Sequence, residues 1–130
     1  MADYTAVTID EVEAIYRGAF KRARAALGVT SFGMQVIDIP PNVSGYPEHD
    51  HSEDGQEEVY VTLQGGGQLD VEGELVRLDR DTLVRVGPGT RRKVYPGDEG
   101  IRILVVGGVP GAAYEAPALS ELGAPDPSAR

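Results

Sequence analysis

The 130-residue chain contains only two histidines, and they stand two apart in Pro47-Glu48-His49-Asp50-His51. In an extended segment alternate side chains project to one side, so His49 and His51 would face the same way, a first requirement for joint ligation of a metal ion. The acidic and polar run Ser52-Glu53-Asp54-Gly55-Gln56-Glu57-Glu58 leads from them into Val59-Tyr60-Val61-Thr62-Leu63. Strand alternation places Val59, Val61 and Leu63 on an apolar face. It places Glu58, Tyr60, Thr62 and Gln64 on the other, which can carry polar chemistry if it lines a cavity. Glu58 can therefore converge with the two imidazoles. Glu57 is a competitor one residue nearer to His51, but it shares the face of Val59 and Val61, and Glu58 is preferred. Tyr60 reads either as a cavity wall or as a proton donor.

Other chemistries find less support. With no cysteine in the chain, thiolate nucleophiles, disulfides and Cys-based metal sites are excluded, and any metal must use imidazole and carboxylate ligands. Ser120 has no histidine left to activate it. Gly65-Gly66-Gly67 is followed by neither Lys-Ser/Thr nor a helix start, so it reads as a hairpin turn and not as a phosphate cradle. Neighbouring acids such as Asp98-Glu99 sit where turns are expected, which does not support a glycosidase pair.

The elements that must position the histidines and Glu58 follow from periodicity. Thr8 and Glu11 form a capping-box pattern, and Ile9, Val12, Tyr16, Ala19, Phe20, Ala23 and Leu27 recur at helical spacing up to Gly28, predicting one amphipathic helix over 9–27. Its other face, with Glu13, Arg17, Lys21 and Arg24, reads as solvated. Beyond Gly28 the period becomes that of strands, over 31–39, 58–63, 67–71, 74–78, 82–86, 91–95 and 101–106. Glu72-Gly73 is a two-residue hairpin candidate, and Pro88-Gly89 and Pro96-Gly97 mark further turns. Short strands so closely spaced predict an antiparallel sandwich or barrel. The organisation is a helical segment over 1–30, a barrel over 31–109 and a partly irregular extension over 110–130 whose end, 125–130, reads as a frayed tail.

Composition bounds the partners. The 12 Lys and Arg against 21 Asp and Glu give a formal net charge of −9, which opposes both nucleic-acid phosphates and anionic lipid headgroups. The N-terminus shows no basic region followed by an apolar run, and no stretch approaches the length of a membrane span, so a cytoplasmic protein is expected.

The run Gly45-Tyr46-Pro47-Glu48-His49-Asp50-His51, with Glu58 and then Gly65, resembles the first motif of the cupin superfamily, with a longer loop between the second His and the Glu. The second motif is present in altered form over 81–92. Gly89 keeps its second glycine, Asp81 stands for the first, Gly87 falls at its proline with Pro88 alongside, and Arg92 replaces its histidine. The resemblance covers about residues 35–106.

The resemblance implies an all-β fold, a cupin-like jelly-roll barrel, to which the periodicity adds one N-terminal α-helix. It implies His49, His51 and Glu58 as ligands of a divalent metal, Fe, Mn, Ni, Cu or Zn. Arg92 cannot complete the set, because a guanidinium has five donors and no lone pair. Two imidazoles and one carboxylate would leave open positions for a substrate or water. Three functions stay open. The first is a metal-dependent oxygenase or isomerase acting on a small organic substrate, with Tyr60 and Arg92 as catalytic candidates. The second is a metal-free small-molecule-binding barrel in which Arg92 orients an anionic ligand. The third is a closed polar core in which Arg92 pairs with Glu58. The apolar face of Val59, Val61 and Leu63 needs covering by the helix or by a second copy, and a homodimer is expected.

Overall fold

The computed structural model describes residues 1–129. Seven strands, β1 (Ala14–Ile15), β2 (Phe20–Lys21), β3 (Gly33–Ile39), β4 (Glu57–Val71), β5 (Glu74–Leu78), β6 (Leu83–Val86) and β7 (Arg92–Gly108), are joined in the order β1-β2-β3-β7-β4-β5, with β6 on β4. Every pairing is antiparallel. The architecture is the expected jelly roll.

Two long strands make it a closed shape. Tyr60 and Thr62 of β4 pair with Val105 and Ile103 of β7, whereas Leu69 and Val71 of the same strand pair with Val94 and Arg92. The register shifts between Thr62 and Gln64 and again between Gly65 and Gly67, so both strands bend and pass from one sheet to the other. Glycine is required at this corner. A Cβ on Gly65 would collide with the carbonyl of Gly100, and one on Gly67 with that of Tyr95. Gly65-Gly66-Gly67 is thus the bend inside one 15-residue strand, and not the hairpin turn expected from its sequence. Pro96-Gly97 likewise lies within β7. The Glu72-Gly73 hairpin forms as expected, with φ of 50° and 95° between paired Val71 and Glu74.

The core lies between the sheets and includes Ile37, Tyr60, Leu69, Leu78, Val94 and Ile103. Alternation along β4 buries Glu58, Tyr60 and Thr62 and leaves Val59, Val61 and Leu63 half-buried on the outer face.

The long N-terminal helix does not form. Residues Ile9–Glu11 make one 3-10 turn without a side-chain cap from Thr8, β1 and β2 form a hairpin, and only α1 (Ala23–Leu27) is helical, ended by Gly28 at φ 79°. Tertiary pairing overrides the local period: Phe20 and Lys21 pair with Ile37 and Val36, which extends the β3 edge. Of the face expected to be solvated, Glu13 and Arg17 are exposed, but Lys21 and Arg24 are buried, as is the neighbouring Arg22. The Arg22 guanidinium donates to the carbonyls of Leu119 and Ala124, both at 2.8 Å, and to Glu13 at 2.9 Å, while Arg24 reaches Glu121 at 2.7 Å. These two arginines strap the C-terminal segment to the N-terminal hairpin. The segment expected to fray is tied as well, since Asp126 accepts the Tyr16 N–H at 3.1 Å.

Candidate metal centre

His49 exchanges both backbone hydrogen bonds with Arg92, at 3.0 and 2.9 Å, and this bridge holds the histidine segment extended along the start of β7. His51 is fixed two residues on by its N–H to the carbonyl of Pro88 at 2.7 Å. The two rings meet edge to face with centroids 5.1 Å apart. Glu58 enters from β4 opposite Gly107 of β7. A Cβ on Gly107 would lie 3.3 Å from Glu58 Cγ and 2.7 Å from Gln56 Oε1, so the glycine leaves room for both.

One oxygen is the focus. Glu58 Oε1 lies 3.2 Å from His51 Nε2, 3.7 Å from His49 Nε2 and 3.8 Å from Arg92 Nη2, and it accepts the Tyr60 hydroxyl at 3.1 Å. Ligand atoms of His49, His51 and Glu58 all fall within 4.8 Å of one another. Glu57, the competing acid, is turned outward to Arg85 at 2.7 Å.

The donor set fits a divalent ion. His51 Nδ1 lies 3.0 and 3.1 Å from the two oxygens of Asp54, which fixes the Nδ1–H tautomer and leaves the Nε2 lone pair facing inward. That Nε2 is buried without a hydrogen-bond partner among the described residues. A neutral Nε2 and a carboxylate oxygen this close repel unless a cation, either a proton or a metal, stands between them. The electrostatics agree. Burial alone would raise the Glu58 carboxyl, but the two imidazoles outweigh it and hold the group well below the usual carboxylate range. The Glu58 carboxylate, opposed by burial and assisted by Asp54, pushes His51 upward. Burial, and then the charge of Glu58, push the Tyr60 phenol above its ordinary value, so it stays a donor.

Arg92 lies behind this cluster. Its side chain is 0% exposed, and it donates to the carbonyls of Thr90 at 2.9 Å, Gly87 at 3.3 Å and Val86 at 3.4 Å. The guanidinium therefore pins the turn between β6 and β7 and presents one edge to Glu58. It is not among the residues that line the cavity in front of the cluster, whereas Tyr60 is.

That cavity, of about 300 Å³, is walled by His49, His51, Glu58, Tyr60, Gln35 and residues that sequence reasoning did not assign to this site. Phe20 comes from the N-terminal hairpin, and Pro117, Leu119 and Ser120 come from the C-terminal segment. Nothing in the local pattern of 110–130 announces a cavity wall. The signal was in Arg22 and Arg24, charges on a stretch otherwise rich in apolar residues.

No protein-family model matches the chain, and neither does any curated protein. Solved structures do. A cupin protein from Bacteroides fragilis superposes with a TM-score of 0.68 at 18% identity, covering 90% of this chain and 93% of that one. A predicted oxalate decarboxylase from Thermotoga maritima gives 0.53 at 21% identity, over 61% and 68%. The cupin domain of an XRE family transcriptional regulator from Enterobacter cloacae gives 0.53 at 20% identity, over 64% and 86%. Together with the topology and the inward His-His-Glu cluster, these likenesses identify the fold of this chain as that of the cupins, a single jelly-roll barrel.

Proposed function

We propose that the protein binds a divalent metal through His49, His51 and Glu58 and acts as a metal-dependent enzyme on a small organic molecule held in the adjoining cavity. The observation that carries this reading is the convergence of the inward Nε2 of His51, oriented by Asp54, with His49 and Glu58, whose ligand atoms all lie within 4.8 Å of one another. A divalent ion in such a site supplies Lewis acidity and open positions for substrate or water. The chain's own groups do the rest. Tyr60 keeps its proton and donates it as a hydrogen bond to Glu58, fixing the carboxylate, and its ring forms part of the cavity wall. Arg92 sets a permanent positive charge 3.8 Å from the carboxylate, on the side away from the cavity. The likeness to a predicted oxalate decarboxylase and to a regulator's domain leaves the reaction to be argued from the site, since one fold hosts many chemistries. The half-buried outer residues Val59, Val61 and Leu63 support a homodimer.

A second reading has its own observation. Arg92 Nη2 at 3.8 Å from Glu58 Oε1 already supplies a permanent cation, which supports a metal-free binding barrel. Elemental analysis of tag-free protein beside a His49→Ala, His51→Ala variant separates the two. Near-stoichiometric metal that disappears in the variant is the expected result. Absence of metal, even after loading with excess divalent ions, overturns the first reading.

A further inference from the structure

A second cavity, of about 770 Å³, opens on the outside of the barrel between the β1–β2 turn, the loop after β3 and the bend of β7. It shares three lining residues with the chamber at the histidines, namely Tyr16, Tyr46 and Pro47. Those side chains stand between the two spaces, at the throat that a ligand reaching both would pass. The outer cleft is apolar along Ile39, Pro40, Pro41, Val43 and Ile101, with charges at its margin. The chamber, by contrast, holds an unmet polar group: Gln35 Oε1 is buried with no hydrogen-bond partner among the described residues, and register places Gln35 beside Val105, which is beside Tyr60.

The throat is built under strain. Tyr16 and Arg17 adopt φ of 54° and 57°, left-handed values unusual for residues with side chains, and Gly18 follows at 89°. Asp126, reaching over from the C-terminal segment, holds the Tyr16 N–H. Strain of this kind persists where surroundings over-determine the backbone, and it clusters at ligand clamps. Tyr46 is part of both spaces. Burial first, and then the charge of Glu58, raise its phenol, so the ring that borders the outer cleft also feels the cluster inside.

We infer that the outer cleft is the second half of the ligand site and that Tyr46 is the specificity-determining residue of the throat between them. The ligand is an elongated small molecule. Its compact polar head, carrying an N–H or O–H donor for Gln35, occupies the chamber, and its apolar ring or chain lies along the prolines outside. This rests on the reading that the head sits against His49, His51 and Glu58.

The test uses acetohydroxamate, which has a head and no body, and biphenyl-4-hydroxamate, which has both. Each is titrated into the full chain with and without Zn²⁺ and followed by amide NMR, while Zn²⁺ binding is measured separately by calorimetry. The longer probe is expected to shift amides of the chamber (Glu58, Tyr60) and of the cleft (Gly65, Gly100) together, and to bind at least roughly tenfold more tightly than acetohydroxamate. Tyr46→Ala should reduce that ratio to within roughly threefold, and Tyr46→Phe should preserve it. Shifts confined to one cavity, or a ratio indifferent to Tyr46→Ala, overturn the inference. Should Zn²⁺ not bind, the metal reading fails by calorimetry, and the metal-free titration still decides. Joint shifts of both amide sets support the two-part site, and their absence refutes it.

Discussion

Replacing Arg92 by methionine is expected to tighten divalent metal binding. The guanidinium and Glu58 Oε1 are 3.8 Å apart, and Arg92 is wholly buried, so solvent screens the pair poorly. At an effective dielectric constant near 20, unit charges at this separation interact by about 4 kcal/mol, and at twice that constant by about 2. A metal drawing on the same oxygen competes with that attraction and is repelled by the cation behind it. Removing the charge should raise affinity by roughly 30-fold to 1,000-fold. The variant has a structural cost, because the carbonyls of Val86, Gly87 and Thr90 lose their donor. Stability should fall by about 3 kcal/mol, so binding is measured where circular dichroism shows the barrel folded. Calorimetric titration with Zn²⁺ and Mn²⁺ of wild type, Arg92→Met and Arg92→Lys gives the comparison. The lysine variant keeps the charge and should stay within roughly threefold of wild type. A folded methionine variant that binds metal no more tightly than wild type would refute the electrostatic argument.

Three further outcomes are expected. Asp54→Asn removes the carboxylate that fixes the His51 tautomer, and Zn²⁺ affinity should drop roughly 10- to 100-fold with little change in thermal stability. Gly67→Ala forces a methyl group against the backbone of Tyr95 and Pro96, where no flexible side chain can give way. Urea denaturation should show a loss of roughly 3 kcal/mol, whereas Gly108→Ala, where nothing lies within 4 Å, should be nearly silent. Acid should loosen the C-terminal strap. The Gly123 N–H and Arg22 hold Glu13 below its ordinary value of 4.5, so its contribution to folding is present above that pH and is lost as pH falls through the lowered value. Asp126 is lowered in the same sense, chiefly by Ser128. Amide exchange at Tyr16 and Gly123, corrected for intrinsic rates, should therefore accelerate between pH 5 and 3, roughly the carboxylate range, before the β4 and β7 amides respond. Uniform loss of protection would contradict a local release.

The cluster was legible because its chemistry is local. His49, His51 and Glu58 lie within ten residues, and alternation alone assigns Glu58 inward and Glu57 outward, as found. The bend of β4 was not legible, because glycines that signal a turn are equally the residues that let two backbones cross at van der Waals distance. The N-terminal segment misled for a related reason. Its apolar residues fit a helical stripe, yet Val12 and Ile15 are buried by a hairpin whose pairing partner, β3, begins a dozen residues downstream of β2. Periodicity reads a face and cannot read what lies against it.

Arg92 shows most clearly how a substitution within a motif is decided by burial geometry. From sequence, a cation at this position could have faced the cavity to clamp an anion, paired with Glu58, or turned to solvent. The alternation that buries Val94 beside it also buries Arg92, and the carbonyls of Val86, Gly87 and Thr90 then accept from its two Nη atoms, while its Nε is left without a partner among the described residues. What remains to act on the site is charge alone, directed at Glu58 from the side away from the cavity. A histidine here would have added a ligand. The arginine instead sets a fixed positive charge beside the carboxylate, which should make any metal bind less tightly. On the metal-binding reading proposed above, occupancy should therefore follow the supply of metal and of a ligand that neutralises the added charge.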